Sequence, residues 1–265
     1  MEIIGKISKG SKMDQVYIPK NRAGFSIGDY VVIKPLEEEK PIERLYYHGI
    51  KNLEPIKINI IDEILGIIYN SLNNYDNIII TGSFLEEGFN FNDIDIILIT
   101  KNKINTDIIK MSIERKTGLK AHILVLNNKE LIKGIETDPL YQMMLSKCVA
   151  KKRFVYKTNN VKNYKLLDLH LIKSKVLLDN FDVLSGNEKY NLTRNMIAIS
   201  LYIEKGRVNN ELVNENIKKY FGLKDIQEIK QNIINKKDFL RKYKLMYNKT
   251  SAKILERTSH DTKQK

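Results

Sequence analysis

The chain has 265 residues, 42% of them hydrophobic, and a formal net charge of +13 from 45 lysines and arginines against 32 aspartates and glutamates. This composition predicts packed domains and excludes a chiefly disordered chain. Because Cys148 is the only cysteine, no internal disulfide or cysteine-based zinc cluster can form. No apolar run approaches the ~18 residues needed to cross a bilayer, and the first residues are charged, so we expect a soluble cytoplasmic protein.

Two short apolar segments near the N-terminus flank turn signals. The first, residues 16–18, ends at Pro19, and the second, residues 30–33, follows Gly28-Asp29. Gly-Asp between apolar strands is typical of a hairpin turn. We therefore predict a small β-hairpin module over residues 1–45. A hairpin this short needs a partner to bury its apolar face, so we expect it to pair two subunits.

This N-terminal segment resembles the swapped-hairpin domains of the AbrB/MazE-like (SpoVT-AbrB) family. In that family two chains exchange strands and basic side chains contact DNA. The matching basic positions here are Lys12, Lys20 and Arg22. The spacing from Pro19 to Gly28 is shorter than usual, and residues 11–14 look like an insertion. The resemblance implies a homodimer that binds DNA, but a module that only pairs subunits would show the same apolar pattern.

The most informative segment reads as strand, loop and strand. An isoleucine-rich strand leads into Gly82-Ser83, and a second apolar strand opens with Asp93-Ile94-Asp95. Alternate residues of a strand share a face, so both carboxylates leave one face and Ile94 the buried one. Gly82 allows close backbone approach to a phosphate, and Ser83 offers an N–H at an expected helix N-terminus. The pattern predicts a site for a magnesium-bound nucleoside triphosphate; the alternative is a hairpin whose aspartates only face solvent.

These residues resemble the signature of the DNA polymerase β-like nucleotidyltransferase superfamily. The resemblance joins the Gly-Ser pair, the nine-residue gap, the Asp-x-Asp motif and both apolar strands. It covers residues ~55–157, where helical spacing over 56–75 and 104–117 and an apolar strand at 121–126 match the expected order of elements. It implies that the aspartates bind Mg²⁺ and catalyse transfer, and that the glycine and serine hold the phosphates.

One feature departs from that pattern. Active members often carry a third carboxylate on the strand after the second helix, and the polar residue at that place here is His122. A histidine can act as a general base, or it can be a sheet-edge residue with a local hydrogen bond. Glu86 and Glu87, in the loop, are other candidates for the missing ligand, and both also suit a solvated loop.

The C-terminal half is predicted to be helical. We expect a helix over 140–149 that contains Cys148, a strand at 154–156 that completes a core over 46–157, a helical domain over 158–257 and a flexible tail over 258–265. Helices are predicted to stop at three glycines: Gly186, Gly206 and Gly222. The following basic residues either reach a cleft between core and helical domain or lie on the surface: Lys173, Lys175 and Arg194.

The expected fold class is α+β, with an N-terminal β-hairpin module, a nucleotidyltransferase core built on a mixed sheet, and a C-terminal helical domain. The favoured function is Mg²⁺-dependent transfer of a nucleoside monophosphate from a triphosphate to an acceptor hydroxyl with release of pyrophosphate. The acceptor is an RNA end such as tRNA, a protein side chain as in toxin–antitoxin nucleotidyltransferases, or a small molecule. The positive charge favours RNA or DNA partners, although lysine-rich solvated faces are common. The alternative is a DNA-binding regulator whose nucleotidyltransferase domain is inactive.

Overall fold

The chain forms two compact units, Met1–Arg44 and Leu45–Lys265. The structure, a computed structural model, describes residues 7–16, 24, 26–30, 44–72, 74–89, 91–155 and 161–262. The finer division of the second unit at residue 157 stays a prediction.

The described part of the first unit contains a short antiparallel pair of strands, β1 (Ile7–Ser8) and β2 (Gln15–Val16). Residues 11–14, which the sequence suggests are an insertion, belong to the connection between these strands. The predicted Gly28-Asp29 turn is present: the Asp29 N–H donates to the Ser26 carbonyl at 3.2 Å, and the Ser26 N–H donates to the Asp29 carboxylate at 2.7 Å. The predicted strands at 17–18 and 31–33 lie outside the described residues.

The second unit is a mixed α+β structure around a five-stranded sheet, which confirms the predicted class. The described strands of this sheet are β3 (Tyr46–His48), β4 (Asn77–Thr81), β5 (Asp93–Ile99), β6 (Lys120–Leu126) and β7 (Cys148–Ala150). The described helices are α1 (Pro55–Ser71), α2 (Asp107–Thr117), α3 (Asn128–Thr137), α4 (Pro139–Leu145), α5 (Tyr164–Ser174), α6 (Val176–Asp179), α7 (Gly186–Lys205), α8 (Asn210–Phe221), α9 (Gln227–Lys230) and α10 (Lys236–Thr262).

The sheet has the strand order β3-β7-β4-β5-β6, and only β5 and β6 run parallel. Alternating isoleucines of β4 and β5 fill both faces. Ile78, Ile80 and Ile96 pack with α1 and α2, whereas Ile79 and Ile97 pack on the opposite face with α3 and α4. The sheet is therefore covered on both sides, and β4 and β5 lie at its centre.

Two predictions about the end of the core are wrong. Residues 140–149 are not one helix: α4 ends at Leu145, and Cys148 lies on β7, with 0% of its surface exposed. The strand expected at 154–156 is absent from residues 154–155, and Tyr156 lies outside the described residues. The physical reason is that β7 enters between β3 and β4, so this short segment of small residues completes the sheet through distant partners.

The C-terminal helices pack around α7, as expected for a helical region. Gly206 and Gly222 end α7 and α8 with φ of +74° and +73°, as predicted. Gly186 instead begins α7, because Ser185 caps the helix. A glycine is present there because a Cβ would lie 1.9 Å from the Lys230 carbonyl oxygen. Helix α10 continues to Thr262 and passes the start of the predicted flexible tail at 258.

The helical region is bonded to the sheet region at several points. The Tyr202 hydroxyl of α7 donates to the Glu136 carbonyl at 2.7 Å, and a His170 ring nitrogen lies 3.0 Å from the buried Asp138 carboxylate. Met143 of α4 packs into the core of the helical region, while Leu145 packs beneath the sheet. These contacts fix the position of α7 relative to the strand ends that carry the candidate site.

Candidate functional site

Two carboxylates leave the same face of the sheet at the start of β5. Ile94 between them is fully buried, while the side chains of Asp93 and Asp95 are 39% and 44% exposed. The strand alternation makes this arrangement obligatory once Ile94 enters the core. The face that carries the carboxylates is the one opposite α1 and α2.

Gly82 lies directly beside this pair, at the point where the chain leaves β4. Thr81 pairs with Asp95 across the antiparallel ladder, and Gly82 follows with φ of +90°. A Cβ on Gly82 would lie only 2.2 Å from Oδ2 of Asp95. Ser83 begins a three-residue 3₁₀ helix, Ser83–Leu85, at the position where the sequence predicts a helix N-terminus. Phe84 and Leu85 are buried and Ser83 is exposed, so a bound anion could approach the main chain at Gly82 and Ser83.

His122 lies beside the same carboxylates on the neighbouring strand. The parallel register places it opposite Asp95, and its Nδ1 lies 3.4 Å from Oδ1 of Asp95 and 3.5 Å from Oδ2 of Asp93. Its side chain is 65% exposed. An exposed imidazole that faces both carboxylates is accessible to a substrate.

The electrostatics of the pair favour a cation. Burial raises the pKa of Asp95, and the charge of Asp93 raises it further. His122 and Arg194 oppose this rise, without cancelling it. Two nearby carboxylates repel each other in their ionised forms, so a bound divalent cation would stabilise both charges.

A cleft of about 500 Å³ opens in front of these residues. One wall contains Gly82, Ser83, Asp93 and Asp95, and the opposite wall is a stripe on α7. The stripe consists of Asn187, Tyr190, Asn191, Arg194 and Asn195. The two walls therefore set carboxylates and a glycine turn against amides and one guanidinium.

Sequence reasoning missed most of this second wall. Its residues follow the spacing i, i+3, i+4, i+7, i+8, so they lie on one face of a helix. This polar face lies beside the buried Met196 and Ile199 in the same helix, and that pattern was the sequence signal that could have predicted the wall. Nε of Arg194 and Oδ1 of Asn195 are buried and have no hydrogen-bond partner among the described residues. Buried polar atoms are normally paired, so these two atoms favour a ligand in the cleft.

Two lysine side chains add positive charge to the lining of the cleft. Lys147 and Lys230 both line it, and Lys230 Nζ lies 3.7 Å from the Glu86 carboxylate of the loop after the 3₁₀ helix. The same ammonium lies 4.7 Å from the centre of the Tyr190 ring. Lys230 thereby connects the loop to the helical wall.

The structure brings together five predicted site residues from two strands and a turn: Gly82, Ser83, Asp93, Asp95 and His122. All of these except His122 line the cleft, as do Arg194 and Glu86, whereas His122 borders a separate, more open depression that it shares with Asp95. Glu87, Lys173 and Lys175 are exposed and are not part of the lining of the cleft. Lys12 is exposed in the first unit. Lys20 and Arg22 lie outside the described residues, so the DNA contacts stay predictions.

The donor set suits magnesium that arrives with a phosphate ligand. Among the described residues, no group of three or more His, Cys, Asp or Glu side chains is arranged to hold a metal ion by itself. Asp93 and Asp95 supply two carboxylates, and Mg²⁺ commonly takes one or two carboxylates together with substrate phosphates and water. The chemistry of the site therefore fits a metal–triphosphate complex better than a closed metal cage.

Comparisons with protein-family models, with curated proteins and with solved structures gave no match to this chain. In the part of the chain that the structure describes, no helix combines the length and apolar character needed to cross a bilayer.

Proposed function

We propose that the protein is a Mg²⁺-dependent nucleotidyltransferase that moves a nucleoside monophosphate from a nucleoside triphosphate to an acceptor hydroxyl and releases pyrophosphate. The observation that carries this proposal is the position of Gly82, with φ of +90°, directly against the twin carboxylates of Asp93 and Asp95. A glycine turn and a carboxylate pair facing one cleft match the needs of a metal-bound triphosphate.

Each residue has a role in this proposal. The main chain at Gly82 and the hydroxyl and N–H of Ser83 hold the β- and γ-phosphates, and Arg194 supplies positive charge from the opposite wall. Asp93 and Asp95 would hold Mg²⁺, which in such sites neutralises charge on the phosphates and aligns the attacking and leaving oxygens.

His122 is proposed to accept the proton of the acceptor hydroxyl. Its Nδ1 lies within 3.5 Å of both carboxylates, and its exposure leaves room for an acceptor beside it. The attacking oxygen forms a bond to the α-phosphorus, the bond from that phosphorus to the bridging oxygen breaks, and pyrophosphate leaves. The imidazole removes the hydroxyl proton, which balances the reaction.

The net charge of the chain indicates which class of acceptor to test first. The net charge of +13 favours a polyanion, so an RNA end such as that of tRNA is the first acceptor to test. A protein side chain, as in toxin–antitoxin systems, and a small molecule are the others. Pairing of two chains through the N-terminal module is part of the proposal.

A labelling experiment tests the proposal. The protein is incubated with each α-labelled nucleoside triphosphate, Mg²⁺ and either total RNA, a cell lysate or an aminoglycoside. We expect label on one acceptor, lost in Asp93→Ala/Asp95→Ala and retained in Asp107→Ala, a carboxylate that is 76% exposed at the start of α2. Label on no acceptor, or equal label with the double variant, contradicts the proposal.

The second candidate is a DNA-binding regulator with an inactive nucleotidyltransferase domain. The observation in its favour is that an imidazole, His122, occupies the place on β6 where the superfamily often has a third carboxylate. This candidate predicts sequence-selective duplex binding that is lost in Lys20→Ala/Arg22→Ala, together with no transfer to any acceptor.

A further inference from the structure

Lys57 of α1 is a fully buried lysine beneath the loop that joins Ser83 to Asp93. Its side chain has 0% exposure. Its ammonium donates to the Glu86 carbonyl at 2.5 Å and lies 2.9 Å from the Glu54 carboxylate. A lysine is rarely buried to this extent without a specific partner, so the contacts of this ammonium need an explanation.

Lys57 and its partner Glu54 together bind the middle of the loop at two residues, Glu86 and Gly88. Glu54, its ion-pair partner, accepts a hydrogen bond from the Gly88 N–H at 2.6 Å. The bonds from Lys57 and from main-chain N–H groups, including that of Gly88, lower the pKa of Glu54 to about 2. The loop is thus bonded at Glu86 through its carbonyl and at Gly88 through its N–H.

Aromatic side chains of the loop surround the same ammonium. The ring centres of Phe84, Phe89 and Phe91 lie 6.0, 5.5 and 5.3 Å from Lys57 Nζ. Phe84 and Phe91 also contact each other edge to face at 4.9 Å. Cation–π attraction therefore adds to the hydrogen bonds, and both arms of the loop pack around one charge.

Stability alone does not account for this arrangement. Burying an ammonium opposes folding through lost hydration, and apolar residues of similar size often replace buried ion pairs without loss of stability. What an apolar residue could not supply is a donor for the Glu86 carbonyl, and hence a single loop conformation. The two ends of this loop are Ser83 and Asp93, the phosphate-binding and metal-binding positions of the proposed site.

We infer that Lys57 is a positioning residue that fixes the loop so that Ser83 and Asp93 face the same triphosphate. The predicted effect on nucleotide binding rests on the proposed function. The fixing of the loop by Lys57 does not depend on that function. Glu54 acts through Lys57 and through Gly88. Neither Lys57 nor Glu54 is assigned a contact with substrate.

The test compares Lys57→Met, which keeps the length and apolar stem, with Lys236→Met, whose ammonium also pairs with a carboxylate, that of Asp182, but whose side chain is 53% exposed. Two quantities are measured: hydrogen exchange of the amides of residues 84–89 without nucleotide, and the Kd of Mg²⁺-bound triphosphate. For Lys57→Met we expect faster exchange in the loop and a Kd raised by about tenfold to a hundredfold. The melting temperature should fall, because the Glu54 carboxylate loses its cationic partner, so both quantities are measured well below the unfolding transition of the variant. Lys236→Met should leave the loop exchange and the Kd unchanged.

Glu54→Gln is the second variant, in case Lys57→Met fails to fold. It keeps an acceptor for the Gly88 N–H and removes the charge that pairs with Lys57, so a smaller change in the same direction is expected. Unchanged loop exchange in the folded variants overturns the inference. Faster exchange with an unchanged Kd also overturns it. A parent chain that binds no triphosphate overturns the proposed function instead, and the exchange data then decide whether Lys57 fixes the loop.

Discussion

The carboxylate of Asp95 occupies the space beside the Cα of Gly82, where any other residue would place its Cβ. That Cβ would lie 2.2 Å from Oδ2 of Asp95, and Gly82 has φ of +90°. Gly118, which ends α2, has φ of +73°, but among the described residues no atom beyond its chain neighbours lies within 4 Å of the corresponding position. The two glycines therefore share a positive φ and differ in their neighbours.

This difference allows two alanine substitutions to be compared, one at each glycine. The positive φ alone should destabilise both Gly82→Ala and Gly118→Ala by about 1–3 kcal/mol. Gly82→Ala should also displace Asp95 and abolish binding of Mg²⁺-bound triphosphate, whereas Gly118→Ala should bind like the parent. Denaturant unfolding and titration calorimetry measure the two effects. Parent-like binding by a folded Gly82→Ala variant would show that the phosphates lie elsewhere.

The raised pKa of Asp95 predicts a pH-dependent gain of stability in Asp95→Asn. A carboxyl whose pKa is higher in the folded state stabilises the fold below its ordinary value of 3.8, and this contribution is lost as the pH rises through the folded-state pKa. At pH 7 without divalent cations, we therefore expect Asp95→Asn to be more stable than the parent. The side chain is 44% exposed, so solvent screening should limit the gain to at most about 1 kcal/mol.

Thermal unfolding between pH 3 and pH 8 measures this gain. It should shrink as the pH falls towards 3.8, and Asp107→Asn, with a carboxylate that is 76% exposed, should show no comparable gain. A loss of stability in Asp95→Asn at pH 7 would mean that the ionised carboxylate already has a compensating partner.

Arg194 is predicted to bind phosphate from the α7 wall. Its Nε is buried without a partner among the described residues, and its charge already acts on Asp95 across the cleft. Arg194→Ala should weaken triphosphate binding by about tenfold to a hundredfold, because a hydrogen bond to a charged group contributes about 1.5–3 kcal/mol. The control is Arg241→Ala, whose side chain is 66% exposed and bonded to Asp238. Equal affinities for both variants would remove Arg194 from the site.

Substitution of His122 separates catalysis from binding. If its imidazole is the general base, His122→Ala should lower the rate of transfer by about 10²- to 10⁴-fold and leave the Kd of the triphosphate nearly unchanged. His122→Asp, which places a carboxylate in register with Asp95, should restore part of the rate. Single-turnover transfer to the labelled acceptor measures this. An unaffected rate in His122→Ala would support the interpretation as a sheet-edge histidine.

The parts of the site that sequence predicts are those governed by local rules. The two-residue period of a strand places Asp93 and Asp95 on one face once Ile94 is taken as buried, and the structure has this arrangement. A turn was expected at Gly82, and its φ of +90° shows that the chain turns there; its role at an anion site stays a prediction. Each of these expectations depends on a few neighbouring residues.

The parts that sequence does not predict depend on distant contacts. Nothing within residues 148–150 reveals that they pair with β3 and β4, which precede them by many residues. Gly186 resembles a helix stop until the carbonyl of Lys230 is seen to occupy the place of its side chain. The polar stripe of α7 is visible in the sequence, but its position opposite Asp95 is set by the packing of the helical region on α3 and α4.

Binding of nucleoside triphosphates in the presence and absence of Mg²⁺ tests the central claim most directly. Titration calorimetry on the parent chain and on Asp93→Asn/Asp95→Asn, which preserves side-chain shape and removes both charges, needs no knowledge of the acceptor. The account predicts Mg²⁺-dependent binding of at least one triphosphate by the parent chain and none by the double variant. Binding that is equally tight in the double variant, or no binding of any triphosphate by the parent chain, would contradict it.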